Sequence, residues 1–207
     1  MKRISLTASF VRRAIDDSVW DLGNEVLYDL CRKHPSHRSD DEVLAKVLLI
    51  GRVYAASIER RRDNRDIRGD DFYLDVVVPT IRRSDIDGWF QPLRPLKTPT
   101  AAAVIPVHAR LTQLFTKISG LEKRSLASKY LHFHFPKLVY IYDSRAERAI
   151  RQVTASRRRD MPDFDDYDPT YARFFLRCET LRNQLQDLLG QPVCPRELDK
   201  VLLAVVQ

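Results

Sequence analysis

Apolar residues recur every three to four positions along most of this chain, and that period commits it to helices packed on helices. Residues 42–62 state it most plainly. Val43, Val47, Leu48, Ile50, Tyr54 and Ile58 share one side of a helix there, with Ser39 or Asp40 placed to cap it. Residues 15–32 carry Val19, Leu22, Val26, Leu27 and Leu30 at the same spacing, interrupted only by Gly23-Asn24. Residues 107–118, 171–189 and 196–205 read the same way, the second of these ended by Gly190 and Pro192. Residues 72–78, FYLDVVV, are β-branched enough for a strand, but their helical neighbours favour a helix ending at Pro79. Residues 92–106 are proline-rich and form the candidate hinge. The expectation is a mainly α chain of about ten helices, one domain over its 207 residues, with lobes at about 1–99 and 100–207.

Composition narrows the partners. At 44% hydrophobic and 30% charged the chain is globular. No apolar run nears the ~20 residues that span a bilayer. The first residues lack the apolar core of a secretory signal, so no membrane partner is expected. Three cysteines, widely spaced and odd in number, suit a reducing, cytoplasmic compartment and supply neither a four-thiolate cluster nor a zinc set. No cofactor is expected. The net charge is +7, with the basic excess mostly arginine, which favours a nucleic-acid partner over a neutral metabolite.

Residues 119–152 carry the chemistry. Ser119 and Glu122 have capping-box spacing ahead of a helix with Leu126, Tyr130 and Phe133 on its apolar face. Pro136 stops that helix, residues 138–142 form a short apolar crossing, and Asp143 and Ser144 open another helix, with Glu147 three residues past Ser144. A carboxylate is thereby presented at a helix mouth, as needed to face a cationic transition state.

This segment resembles the helix-hairpin-helix DNA glycosylase superfamily, in its endonuclease III and adenine glycosylase branch. Arg124-Ser125-Leu126-Ala127 stands where that family has R[KS]TA, and Tyr142-Asp143-Ser144 stands at its catalytic aspartate. The 18 residues from Ser125 to Asp143 match the family spacing, and Arg148 and Arg151 fall where arginines often follow. Upstream, Leu48-Leu49-Ile50-Gly51-Arg52 matches an early helix whose end fills the gap left by a flipped base, with Arg52 or Tyr54 as the plug. The hairpin glycines fall on Leu121 and Lys123, leaving Gly120 in a shifted position. Ser125 occupies the site of the lyase branch's Schiff-base lysine, with Lys123 and Lys129 out of register.

The resemblance implies a two-lobed glycosylase-like fold and monofunctional, metal-independent excision of a base from duplex or single-stranded DNA, in repair or in defence against foreign DNA. Asp143 would be the catalytic carboxylate. Arg52, Gly120, Lys123, Arg124, Ser125, Lys129, Arg145 and Arg148 would hold the nucleic acid. Tyr54, Tyr130, His132, His134 and Tyr142, with Phe133 and Tyr140, would supply the base pocket.

The rival reading is a non-catalytic DNA- or RNA-binding module on the same scaffold, with Asp143 a helix cap worth about 1 kcal/mol. His132 and His134, two residues apart, make a poor metal pair. Asp70, Asp71, Asp75 and Glu59 could be gathered into a Mg²⁺-dependent nuclease site, a weaker reading that matches no known spacing. His34 and His37 lack a further ligand, and Arg157-Arg158-Arg159 is either a solvated loop or a phosphate grip. Oligomeric state has no signal in the sequence.

Overall fold

The computed structural model describes residues 4–16, 18–60, 69–155 and 167–206, which form helices and, among the described residues, no strand. The first helix, α1 (Ala8–Ile15), is capped by Thr7, whose hydroxyl accepts the Phe10 amide. Helix α2 (Val19–Lys33) starts at a box in which the Ser18 amide donates to Asp21 at 2.8 Å. The chain therefore breaks around Ser18 and runs helically through Gly23-Asn24, where the sequence placed the interruption. Its orientation differs as well: α2 buries Asn24, Leu27 and Cys31 and turns Val19, Leu22 and Val26 outward.

Helix α3 (Asp40–Val53) buries Val43, Lys46, Val47, Ile50 and Gly51. It ends well short of residue 62. Ala55 takes a left-handed φ of 51°, and the Ala56 amide reaches back to the Gly51 carbonyl at 2.7 Å. The Ser57 backbone then passes 3.1 Å from where a Cβ on Gly51 would sit, an approach that suits a residue without one.

Residues 72–78 are helical. Helix α4 (Gly69–Phe72) widens into a π turn (Tyr73–Val77) and continues as α5 (Val78–Arg82), straight through Pro79. Proline cannot donate to a carbonyl four residues back, and the π turn precedes it, with the Val78 amide bonded to the Tyr73 carbonyl five residues back. Helix α6 (Ile86–Phe90) and a 3₁₀ turn (Gln91–Leu93) follow. Helix α7 (Ala101–Ser119) contains Pro106, which forfeits one helical bond without ending the helix. The proline-rich connection thus shrinks to residues 94–100.

The remaining helices are α8 (Arg124–His134), α9 (Ser144–Val153), α10 (Pro169–Leu189) and α11 (Pro195–Val205). Described residues on both sides of the 94–100 connection join one hydrophobic cluster, from Val11 and Val47 through Phe115 and Tyr130 to Phe175 and Leu202. Helix α8 lies at its middle, packed on α2, α3 and α7. Among the described residues no helix is long and apolar enough to cross a membrane.

Candidate active site

Ser119 closes α7 instead of opening α8. Its hydroxyl donates to the Phe115 carbonyl at 2.8 Å, and Gly120 follows as a left-handed cap at φ 73°. The expected capping box with Glu122 is absent because Ser119 is spent on its own helix. Glu122 instead pairs with Arg124 at 2.5 Å. The Arg124 guanidinium also meets Asp168, the N-cap of α10, and lies 5.6 Å from the Tyr142 ring centre. It ties α8 to α10 and is not free to grip a phosphate. Lys123 donates to the Arg60 carbonyl at 2.6 Å, so this turn also bonds the chain just past α3.

The crossing after α8 is held by Ser128, whose hydroxyl accepts the Tyr142 amide at 2.9 Å. Asp143 then caps α9 as the sequence indicated: Oδ1 accepts the Arg145 and Ala146 amides, each at 2.9 Å. Oδ2 points away from those amides and lies 3.8 Å from the Lys129 Nζ. The Lys129 side chain is only 5% exposed. Its Nζ donates to the Ser125 hydroxyl and to the Tyr54 carbonyl, both at 3.1 Å. Burial pushes the Lys129 pKa down, with Asp143 and Asp199 opposing. One helical turn separates Lys129 from Ser125, so the amine lies beside the serine in space although out of register in sequence. The end of α3, the start of α8 and the cap of α9 therefore meet at one amine.

Sequence reasoning missed the second layer of this site. Arg196 and Asp199, one turn apart on α11, pair at 2.6 Å, and Arg196 also reaches Asp21 on α2 at 3.4 Å. Asp199 is buried, its carboxyl pushed up to about 6 by burial, with Asp143 adding to the rise and Arg196 and Lys129 opposing it. Asn24 accepts the Tyr54 hydroxyl at 2.6 Å, while its own Nδ2 is buried without a partner. The signal was there to read: an acid three residues past an arginine on the apolar side of a terminal helix needs a buried partner.

Two expected pocket residues, Tyr130 and His132, are core residues, and a third, His134, is half-buried beside them. Tyr130 is fully buried, its hydroxyl bonded to His37 Nε2 at 2.8 Å. His132 is fully buried too: Nδ1 donates to the Val139 carbonyl at 2.7 Å and Nε2 accepts the Tyr28 hydroxyl at 2.8 Å. His134 donates to the Tyr130 carbonyl at 2.9 Å and stacks on His37, ring centres 5.3 Å apart. These three do not line a common opening, because α8 is enclosed on several faces and not on one stripe alone. Phe133 and Tyr140 are buried as well. Tyr54 and Tyr142 differ in being half-buried, the first against Phe133 and the second against Phe174.

Around the Asp143–Lys129 pair, Arg52 closes α3 on the surface, bonded to Glu59 at 3.3 Å, while Gly120, Arg145 and Arg148 are exposed. Arg151 is occupied by Glu147 at 2.6 Å. The Arg157-Arg158-Arg159 run and the Asp70 side chain lie outside the described residues. Glu59 is committed to Arg52 and Tyr73. His34 pairs with Glu42, and His37 with Asp87 and Tyr130. Among the described residues no group of three His, Cys, Asp or Glu is placed to hold a metal. Compared with protein-family models, curated proteins and solved structures, the chain matches none.

Proposed function

We propose that this chain is a monofunctional DNA N-glycosylase in which Asp143 is the catalytic carboxylate. The observation that carries the reading is the convergence on Lys129, which joins Tyr54 at the end of α3, Ser125 at the start of α8 and Asp143 at the mouth of α9. The two stretches that resemble the glycosylase superfamily are distant in sequence, and they touch here.

The chemistry follows from the two carboxylate oxygens. Two amides fix Oδ1 and so fix the orientation of the group. Oδ2 accepts neither of those amides; beside Lys129, and with the Asp143 side chain 21% exposed, it is the oxygen available to face a sugar whose C1′ becomes positive as the base departs, and to orient the attacking water. Lys129, held by Tyr54 and Ser125, sets the distance between that carboxylate and the end of α3. The half-buried rings of Tyr54 and Tyr142 are the aromatic surfaces left to meet an extruded base. Arg145 and Arg148, exposed on α9, supply phosphate contacts, whereas Arg52, though exposed, is held by Glu59.

A second reading is supported by the same cap. An Asp143 that only closes α9 would make the same two amide bonds, and the scaffold would then bind DNA or RNA without cutting it. Asp143→Asn separates the readings, because asparagine caps a helix as well as aspartate and preserves the fold. Wild type and variant are incubated in EDTA with end-labelled duplexes and single strands bearing a panel of modified bases, then treated with alkali. Alkali-dependent cleavage by wild type, reduced on the order of 100-fold or more in the variant, supports catalysis. Binding by both proteins without cleavage on any substrate supports the binding module.

A further inference from the structure

The proposed site carries a charge problem that its first layer does not solve. Asp143 Oδ2 lies 3.8 Å from the Lys129 ammonium, and the two side chains are only 21% and 5% exposed. A carboxylate matched by a cation at that range presents little net charge to anything beyond the pair. A sugar that turns positive as its base departs needs a carboxylate whose charge is left over. Something must offset Lys129.

The buried acid on α11 is placed to do so. Asp199 is 4% exposed, and α11 packs against α9, the helix that Asp143 opens. Burial disfavours the Lys129 charge, Asp143 and Asp199 support it, and Arg145, exposed on α9, opposes it. Asp199, Lys129 and Asp143 therefore act as one electrostatic unit drawn from α11, α8 and the cap of α9. Hydrogen bonding fixes the acid: Arg196 Nη1 donates to Asp199 Oδ2 at 2.6 Å, and Asp21 on α2 steadies Arg196 at 3.4 Å. Asp21 also takes Lys200 at 2.6 Å. From α1, Arg13 shares a surface opening with Arg196 and Lys200. The other groups within electrostatic reach of Asp199 are the hydroxyls of Tyr28 and Tyr54 and the thiol of Cys178 on α10, all pushed toward their neutral forms by burial. Within the paired cluster, Asp21, Asp143 and Asp199 face Lys129, Arg196 and Lys200. Ionised Asp199 leaves that cluster neutral, and protonated Asp199 leaves it with one uncompensated positive charge.

We propose that Asp199 is a positioning residue for base excision, whose carboxylate acts through Lys129 to offset the ammonium and leave the Asp143 charge to the sugar. The proposal rests on the reading of Asp143 as the catalytic carboxylate. Burial pushes the Asp199 carboxyl up to about 6, with Asp143 adding and Arg196 and Lys129 opposing. The offset is therefore present above that pH and lost below it.

Two measurements on the full chain test this, and the first needs no substrate. NMR on protein labelled with ¹³C at lysine and aspartate follows both groups through pH. The Asp199 carboxyl of wild type should titrate near pH 6, and the Lys129 side-chain resonance should move with it. In Asp199→Asn, which keeps an oxygen for Arg196, the Lys129 amine should lose its proton at lower pH than in wild type. A wild-type Lys129 resonance that ignores the Asp199 titration overturns the proposal, whether or not the variant folds. The second measurement is the pH profile of excision. The wild-type kcat should rise through about pH 6, whereas Asp199→Asn should lack that rise and be slower above it, on the order of 10-fold, with KM unchanged. Excision abolished by Asp143→Asn, but with a wild-type profile in Asp199→Asn, overturns the role of Asp199 alone. Excision that survives Asp143→Asn, or that no substrate elicits, overturns both readings.

Discussion

Lys129 is held by groups from three stretches of chain, and its position shows how one residue can organise a site without being exposed. Its amine bonds a main-chain carbonyl at Tyr54 and a hydroxyl at Ser125, and faces a carboxylate at Asp143. Burial disfavours its charge, and Asp143 and Asp199 together offset that cost. Lys129→Met keeps the length of the side chain and removes all three contacts. It should lower stability by about 1–3 kcal/mol, because it leaves the Tyr54 carbonyl and the facing carboxylates without their cation. Urea unfolding measures the change. A loss below about 0.5 kcal/mol would mean that the amine does not fasten these segments. A large loss of stability with unaltered nucleic-acid binding would assign Lys129 to the scaffold alone.

Among the helices, local endings and long-range ones behave differently. Gly190 ends α10 at φ 68°, a conformation that costs an L-residue with a Cβ about 1–2 kcal/mol. Gly190→Ala should therefore lower stability by about 1 kcal/mol in urea unfolding, although open space surrounds the position; a neutral result would show that the turn relaxes. This ending could be read in the sequence because glycine and proline signals act on their own neighbours. The Asp143 cap was legible for the same reason. The end of α3 was not, since it depends on Ser57 packing back against Gly51, which periodicity does not report. The facing of α2 was misjudged because Asn24, a polar residue, takes a buried place that Val19, Leu22 and Val26 seemed to claim. The same limit hid most of the site. Asp143 announced itself by its neighbours, whereas Arg196 and Asp199 join it only through the packing of α11 on α9. Tyr130 and His132 look like pocket material in the sequence and become core once α2, α3 and α7 close around α8.

Across the whole molecule, three buried histidines and the half-buried His134 set the response to acid. Burial lowers His37 and His132 to about 4 and His108 to about 3, and drives His134 well below its ordinary value. Their surroundings do not reverse this. Asp87 opposes the shift at His37, but Lys46 and Arg94 add to it; Asp168 opposes it at His108, while Arg196 adds to it at His132. In the unfolded chain these rings take up protons near pH 6.5, but in the folded protein they remain neutral until far lower pH. Between about pH 6.5 and 4 the unfolded state therefore binds more protons, and stability falls as the pH falls, each ring contributing at most ~1.4 kcal/mol per pH unit. Asp199, raised to about 6, works in the opposite direction over part of this window, since its folded form holds a proton that the unfolded chain releases. Asp21, lowered to about 2, acts in the same sense as the histidines but only at lower pH. Four rings against one carboxyl give a net loss. The melting temperature should drop steeply below about pH 6, with acid unfolding complete near pH 4. His132→Gln, which can still donate to the Val139 carbonyl, should flatten the slope while lowering stability at neutral pH. A melting temperature unchanged between about pH 7 and 4.5 would show that these rings gain protons without opening the core.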